Sequence, residues 1–342
     1  MRQETEGAGL DMTKDSVLMM LRREDGYISG ERISAVLGVS RAAVNAAVKS
    51  LRAEGYEIHS ATNRGYCLRS APDRLTAGEL LAFLPEERVS RVLCLDTVDS
   101  TNRRLRELAY DGAPDGQVVL ANEQTQGRGR LGREFLSPRD KGIYLSFLLR
   151  PDGTPAGTTA ITAWTAVAVR RAIRTVCGVD AAIKWVNDLV LNGRKLCGIL
   201  TEMSVESESG QVQYVIVGIG VNVNEEKTDF SEKIRGVAAS LYAETGVFFR
   251  RAPLAAEIIR ELDNLRAAWP QAKDAYLAAY RAGNITVGRE VFVRKGERVL
   301  PGTAVAVNDD FSLAVQYRDG EKEDLTGGEV QVRGLYDNTT NN

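Results

Sequence analysis

Gly127-Arg128-Gly129-Arg130-Leu131-Gly132-Arg133 sets three glycines among three arginines and a single leucine. Glycines let backbone N–H groups come close to a ligand, and guanidinium forks match the paired oxygens of carboxylates and phosphates. The run therefore predicts an anion-binding loop. The alternative is a disordered, RNA-tolerant segment, since Arg/Gly composition alone is compatible with that too. The flanks favour the loop: Gln117-Val118-Val119-Leu120 precedes it and Gly142-Ile143-Tyr144-Leu145-Ser146-Phe147-Leu148-Leu149 follows it, and both read as buried strands. A polar loop of this length between core strands is uncommon unless it is functional.

With 342 residues, 44% hydrophobic and 26% charged, the chain has the composition of a globular protein with two or three domains. No apolar run is long enough for a membrane span, and the acidic, glycine-containing residues 1–12 lack the apolar core of a signal peptide, so a cytoplasmic location is expected. Cys67, Cys94, Cys177 and Cys197 are far apart, with no CxxC pair, and lie in apolar runs. They are expected as reduced, buried thiols and not as zinc ligands or disulfides. His59 is the sole histidine, which argues against a Ser-His-Asp triad or a His-based metal centre.

Val17, Leu18 and Leu21 have helical spacing, Ile33, Val36 and Leu37 repeat it, Gly38 breaks it, and Val44, Ala47, Val48 and Leu51 form a third stripe. Ser40 is placed to cap the third helix. This is the helix-turn-helix pattern, and it leaves Ser40, Arg41, Ala42, Asn45 and Lys49 off the apolar stripe, facing a major groove. Tyr56-Glu57-Ile58 and Tyr66-Cys67-Leu68 flank the basic tip Asn63-Arg64-Gly65, which reads as a wing. Residues 13–70 hold nine Lys/Arg against six Asp/Glu, a net of +3 where the whole chain is −2, so DNA is preferred over a protein-interaction role. Ser70-Ala71-Pro72-Asp73 reads as a linker.

Arg91 to Leu95 then predicts a buried strand, leading through Asp96 to Asn102 into a charged helix that Ser100, Thr101 and Asn102 could either cap or leave for a ligand. Thr158 to Val176 predicts a long Ala/Val-rich helix. Leu189-Val190-Leu191 and Leu196 to Leu200 are joined across Asn192-Gly193 as a hairpin. Lys195 opens the return strand, where local pattern alone favours a solvated edge charge. Val212 to Val223 is another apolar strand, with Gly218 and Gly220 permitting close approach to its backbone. Helical segments around Leu254 to Trp269 and Ala275 to Arg281 close this unit. From Ile285 short alternating runs and tight turns suggest a small barrel.

Together these residues resemble the biotin protein ligases of the bifunctional bacterial type, which also repress the biotin operon. The family's GRGRRGR biotin loop is matched by Gly127 to Arg133, with Leu131 for one arginine. Its KWPND element is matched by Lys184 to Asp188, with Val186 for proline, and its RKLxGIL element by Arg194 to Leu200. Asp99 to Asn102 match its D(S)TN, Gly218 to Asn222 its GxGxN, and Gly327-Gly328-Glu329 its GGE. Phe135 stands where a tryptophan often stacks on adenine.

The resemblance implies an α/β (α+β) chain. It would carry a winged helix-turn-helix domain (13–72), a mixed-sheet ligase domain of the class II aminoacyl-tRNA synthetase-like, biotin/lipoate ligase type (73–284), and a small SH3-like barrel (285–337). Residues 1–12 are expected disordered and 338–342 a tail. It implies that biotin and ATP form biotinyl-5'-AMP and pyrophosphate, and that a lysine of a biotin carboxyl carrier protein, the acetyl-CoA carboxylase subunit, then takes the biotin. Catalysis is expected from Lys195, Arg130 and Asp188, with Asp188 also a candidate for Mg²⁺. Biotin is expected at Ser100, Thr101, Asn102, Gln124, Gly127, Arg128, Gly129, Arg130, Lys195 and Gly198. Adenylate contacts are expected from Arg128, Arg130, Arg133, Phe135, Asn187, Lys195 and Asn222, and operator contacts from Ser40, Arg41, Asn45, Lys49 and Arg64. A ligand-induced homodimer on double-stranded operator DNA completes the expectation. The alternatives are a lipoate ligase of the same fold and a DNA-binding regulator that only senses a small molecule.

Overall fold

In the N-terminal unit the apolar spacing becomes three helices, Met12–Arg23, Gly30–Leu37 and Arg41–Ala53, followed by a hairpin of β1 (Glu57–Ala61) and β2 (Gly65–Ser70). The computed structural model describes residues 12–151 and 158–335, so the expected disordered stretch 1–12 (save Met12) and tail 338–342 lie outside the described residues. Gly38 ends the second helix in the left-handed region at φ 65°, and Ser40 caps the third by accepting from the Ala43 N–H at 3.1 Å. Val17, Leu18, Ile33, Val44, Val48 and Leu51 form one core. Val36 does not join it: it is 63% exposed, and Leu37 packs against the core instead. At 3.6 residues per turn, position i+3 from Ile33 falls about 60° to one side and i+4 about 40° to the other, and the partner helix lies on the i+4 side.

The central unit is a seven-stranded sheet in the order β3-β4-β5-β9-β8-β7-β6. Its strands are β3 (Val92–Val98), β4 (Val118–Gln124), β5 (Ile143–Leu149), β6 (Ala182–Lys184), β7 (Asp188–Leu191), β8 (Arg194–Val205) and β9 (Val212–Val221). Only β3 and β4 pair in parallel. Helix Thr101–Tyr110 covers one face through Leu105 and Ala109, which meet Val119, Leu148 and Ile216. Helices Thr158–Cys177 and Arg251–Ala268 join the core on the other. Covered on both faces, β5 is buried along its whole length, which explains why its sequence is apolar at every position but Ser146. The expectation of a buried strand at Arg91 to Leu95 needs correcting. Among the described residues β3 is the sheet edge, and Leu93, Cys94 and Leu95 are only half-buried. Cys67 and Cys197 are buried, Cys94 and Cys177 half-buried, and all four are free thiols.

The C-terminal unit is an antiparallel SH3-like sheet in the order β13-β12-β11-β10-β14. Its strands are β10 (Glu290–Lys295), β11 (Arg298–Val307), β12 (Leu313–Tyr317), β13 (Lys322–Leu325) and β14 (Glu329–Val332). It shares a continuous core with the central sheet, where Trp185 Nε1 donates to the Phe311 carbonyl at 2.9 Å.

The stretch after the hairpin is tethered at both ends. Leu75 exchanges two hydrogen bonds with the Asn122 carboxamide on β4, at 2.9 and 3.2 Å. Asp73 takes the fully buried Arg251 guanidinium and backbone N–H, both at 2.9 Å. Glu79, 1% exposed, links Arg22 of the first helix at 2.7 Å to Arg250 at 3.4 Å. No helix among the described residues is long and apolar enough to cross a membrane.

Candidate active site and DNA-binding surface

The Arg/Gly run is a hairpin-like loop whose neck closes where Phe135 N–H donates to the Gly127 carbonyl at 2.9 Å. Arg128 and Glu134 bridge above the neck, and Gly129 N–H donates to the Arg133 carbonyl at 2.7 Å. At the tip, Leu131 is 73% exposed with φ 57°. The loop leans over the sheet and is held there by side chains from two other elements. Arg130 donates to Asn187 Oδ1 at 3.0 Å and to the Gly328 carbonyl at 2.8 Å, and Arg133 pairs with Glu329. Glu329 also meets Arg294 at 3.3 Å, so the C-terminal sheet acts as a clasp on the loop.

Between loop and sheet lies a cavity of about 170 Å³. One end is cationic. Asp188, at the start of β7, sits between Lys195 Nζ at 2.6 Å and Lys184 Nζ at 3.6 Å. Lys195 and Asp188 reach each other because the Asn192-Gly193 turn folds β8 back along β7, leaving Gly198 opposite Asp188. Burial pulls the Lys184 ammonium below the usual lysine range, with Lys195 and Arg133 adding to that and Asp188 opposing it. Arg130, close enough to Asp188 to feel its charge, stands at this end too, and Arg128 also lines the cavity. Such an arrangement suits a phosphate or carboxylate: several fixed cations, partly desolvated, with one carboxylate to orient them.

The other end is neutral and hydrogen-bonding. Ser100, Thr101 and Asn102 open the Thr101–Tyr110 helix, all three buried, and Ser100 makes no side-chain cap. Gln124 Oε1 accepts from Thr101 N–H at 2.9 Å and from its hydroxyl at 3.0 Å. Asn102 donates to Glu202 at 2.7 Å. Between the two ends, Gly198 and Gly220 face each other across β8 and β9, and the Phe135 ring occupies the room their missing side chains leave: a Cβ on Gly220 would stand 2.5 Å from that ring.

Thirteen of the expected site residues thus line one cavity: Ser100, Thr101, Asn102, Gln124, Arg128, Gly129, Arg130, Arg133, Phe135, Asn187, Asp188, Lys195 and Gly198. Gly127 forms the neck and does not line it. Asn222 does not line the cavity: its carboxamide donates to the Ala239 carbonyl at 2.8 Å, tying the end of β9 to the segment behind it. Both lysines engage the Asp188 carboxylate, and among the described residues no group of three His, Cys, Asp or Glu side chains converges as a wholly protein-built metal site would. Sequence reasoning passed over Lys184 and Glu329 as site residues, although both stand in quoted motifs. Ser137 and Ser146, which support the neutral end, carry no motif signal.

Remote from the cavity, Arg41, Asn45 and Lys49 are exposed on the third N-terminal helix, and Arg64 at the wing tip lies 4.3 Å over the Tyr27 ring. His59 is exposed on β1, 3.2 Å from Glu57, away from any catalytic group.

Comparison with known proteins follows the same division. The Biotin/lipoate A/B protein ligase family matches residues 94–222, and an HTH domain matches residues 13–67. The chain is 34% identical to the Bifunctional ligase/repressor BirA of Bacillus subtilis (strain 168), covering 91% of this chain and 96% of that protein. It is 29% identical to the Bifunctional ligase/repressor BirA of Escherichia coli (strain K12), over 94% and 98% of the two chains. Among solved structures, the biotin protein ligase from Aquifex aeolicus in complex with biotin and ATP is similar at 27% identity and a TM-score of 0.60, covering 71% of this chain and 98% of that one.

Proposed function

The chain belongs to the biotin/lipoate A/B protein ligase family, as a biotin ligase with a helix-turn-helix repressor domain, and from that premise we propose how its residues divide the work. Biotin's carboxylate attacks the α-phosphorus of ATP, the bond to pyrophosphate breaks, and biotinyl-5'-AMP forms. A lysine amine of a biotin carboxyl carrier protein then attacks the acyl carbon, loses a proton, and AMP leaves. The unit at 13–72 serves DNA, and those at 73–284 and 285–337 serve this chemistry.

The observation that carries the proposal is the two-ended cavity, cations around Asp188 at one end and neutral donors and acceptors at the other. Lys195, Arg128 and Arg130 hold the carboxylate and α-phosphate together and spread the charge that builds on the phosphoryl oxygens. Asp188 orients Lys195. The Mg²⁺ expected with ATP arrives on the nucleotide's phosphates. The loop and its clasp keep water from the mixed anhydride.

The neutral end favours a cyclic urea over a dithiolane. Ser146 Oγ lies 2.8 Å from the Thr101 hydroxyl and 2.6 Å from Asn102 Oδ1, and the Thr101 hydroxyl lies 3.0 Å from Gln124 Oε1. Two hydroxyl protons serve three oxygen–oxygen contacts, so one of the three contacts always lacks a proton and has room for a donor from a ligand. Biotin's ureido N–H groups supply donors, and lipoate's ring has none.

The test is to incubate the purified protein with ATP, carrier domain and either biotin or lipoate, and to weigh the carrier. One added biotinyl group is expected. Lipoyl addition would point to the lipoate ligases of this family, and no addition with either acid to a sensor without catalysis.

A further inference from the structure

Ser137 stands outside the cavity yet touches both of the parts that close it. It is 4% exposed. Its hydroxyl donates to the Phe135 carbonyl at 3.0 Å and accepts from Gln124 Nε2 at 2.9 Å. Gln124 in turn holds Thr101 through its Oε1, so a continuous run of buried hydrogen bonds joins the neutral end of the cavity to the neck of the Arg/Gly loop. The fit at the neck is tight: a Cβ on Gly127 would stand 2.3 Å from the Phe135 carbonyl oxygen and 2.6 Å from Ser137 Oγ.

We propose that Ser137 is a positioning residue that couples occupation of the ureido-binding end to closure of the loop. The inference rests on the function proposed above. Gln124 cannot turn toward a ligand without moving the one hydroxyl that also fixes the Phe135 carbonyl, and a Gln124 held still by ligand holds the neck still. Buried networks of this kind are costly to leave half-satisfied, so the neck and the floor change together. Arg130, beyond the neck, keeps the closed loop against Asn187 and Gly328 only while the neck holds its register.

The experiment is a double-mutant cycle on the release of preformed biotinyl-adenylate, read as adenylate passing a filter that retains protein. Ser137→Ala speeds release about ten-fold, the size set by one buried hydrogen bond, and Arg130→Gly, which loses two bonds, at least as much. The double variant releases no faster than Arg130→Gly alone, because both act through loop closure. Ser137→Thr, which keeps the hydroxyl, restores slow release. A merely structural Ser137 would give additive effects, and that result, or parental release from Ser137→Ala, overturns the inference. Should Ser137→Ala not fold, Ser137→Cys, with a weaker donor and acceptor at similar volume, takes its place in the cycle. A parent chain that makes no adenylate refutes the function and the inference together; a parent that makes it, with Ser137→Ala releasing at the parental rate, refutes the inference alone.

Discussion

Lys195 could have been an edge charge on β8, yet its ammonium lies 2.6 Å from Asp188 inside the cavity. Lys195→Ala should slow biotin- and ATP-dependent adenylate formation roughly ten- to thousand-fold, the range for removing one electrostatic stabiliser, with thermal unfolding unchanged. Near-parental pyrophosphate release would return it to the edge. Glu225 is a second residue with a measurable signature. It is fully buried, and burial, outweighing the nearby Arg251, pushes its carboxyl up to about 7. Below about pH 4.5 the group is protonated in folded and unfolded chains alike. Between there and about pH 7 the unfolded chain gives up the proton and the folded chain keeps it, so stability falls as pH rises, by about 3 kcal/mol at most, and is flat above. Glu225→Gln should therefore unfold at higher temperature than the parent at pH 8 and at the same temperature near pH 4. A parent whose melting temperature does not fall relative to the variant between those values would contradict this.

Elements differ in how much of themselves they write into local sequence. Gly38, the Ser40 cap and the Asn192-Gly193 turn act on immediate neighbours, so the helix-turn-helix and the β7–β8 hairpin were legible. An apolar run cannot report how many strands lie beside it, which is why β3 reads as buried and is an edge. Motif position likewise fixed Asn222 in the chain but not the direction of its carboxamide, which satisfies the Ala239 carbonyl. Arg251 is invisible in sequence, being one arginine at the start of an ordinary helix. Its weight comes from Asp73, Asn122, Asp140 and Gly142, all more than a hundred residues away, which it gathers at the linker. Arg251→Met should lower the unfolding free energy by about 3–5 kcal/mol, the cost of leaving a buried partner charge unpaired, measured by denaturant titration. A loss under about 1 kcal/mol would show that Asp73 finds water instead.

For the whole molecule, one chain carries a winged helix and an adenylate-forming cavity, and the first is tied to the second through Glu79, Asp73 and Asn122. A monomer offers one recognition helix, whereas a two-fold dimer reads two half-sites and gains by effective concentration. Biotin plus ATP should accordingly shift the protein from monomer to dimer in sedimentation and tighten binding to a palindromic operator, with steep salt dependence from Arg41, Lys49 and Arg64. Dimers formed equally without ligand would defeat the switch and leave the ligase standing. The central claim is narrower, that the cation cluster and the neutral floor together activate biotin. It is tested most directly by exchange of labelled pyrophosphate into ATP, with no carrier present. Exchange should require biotin and be absent with lipoate, and exchange supported by lipoate in place of biotin would contradict the account.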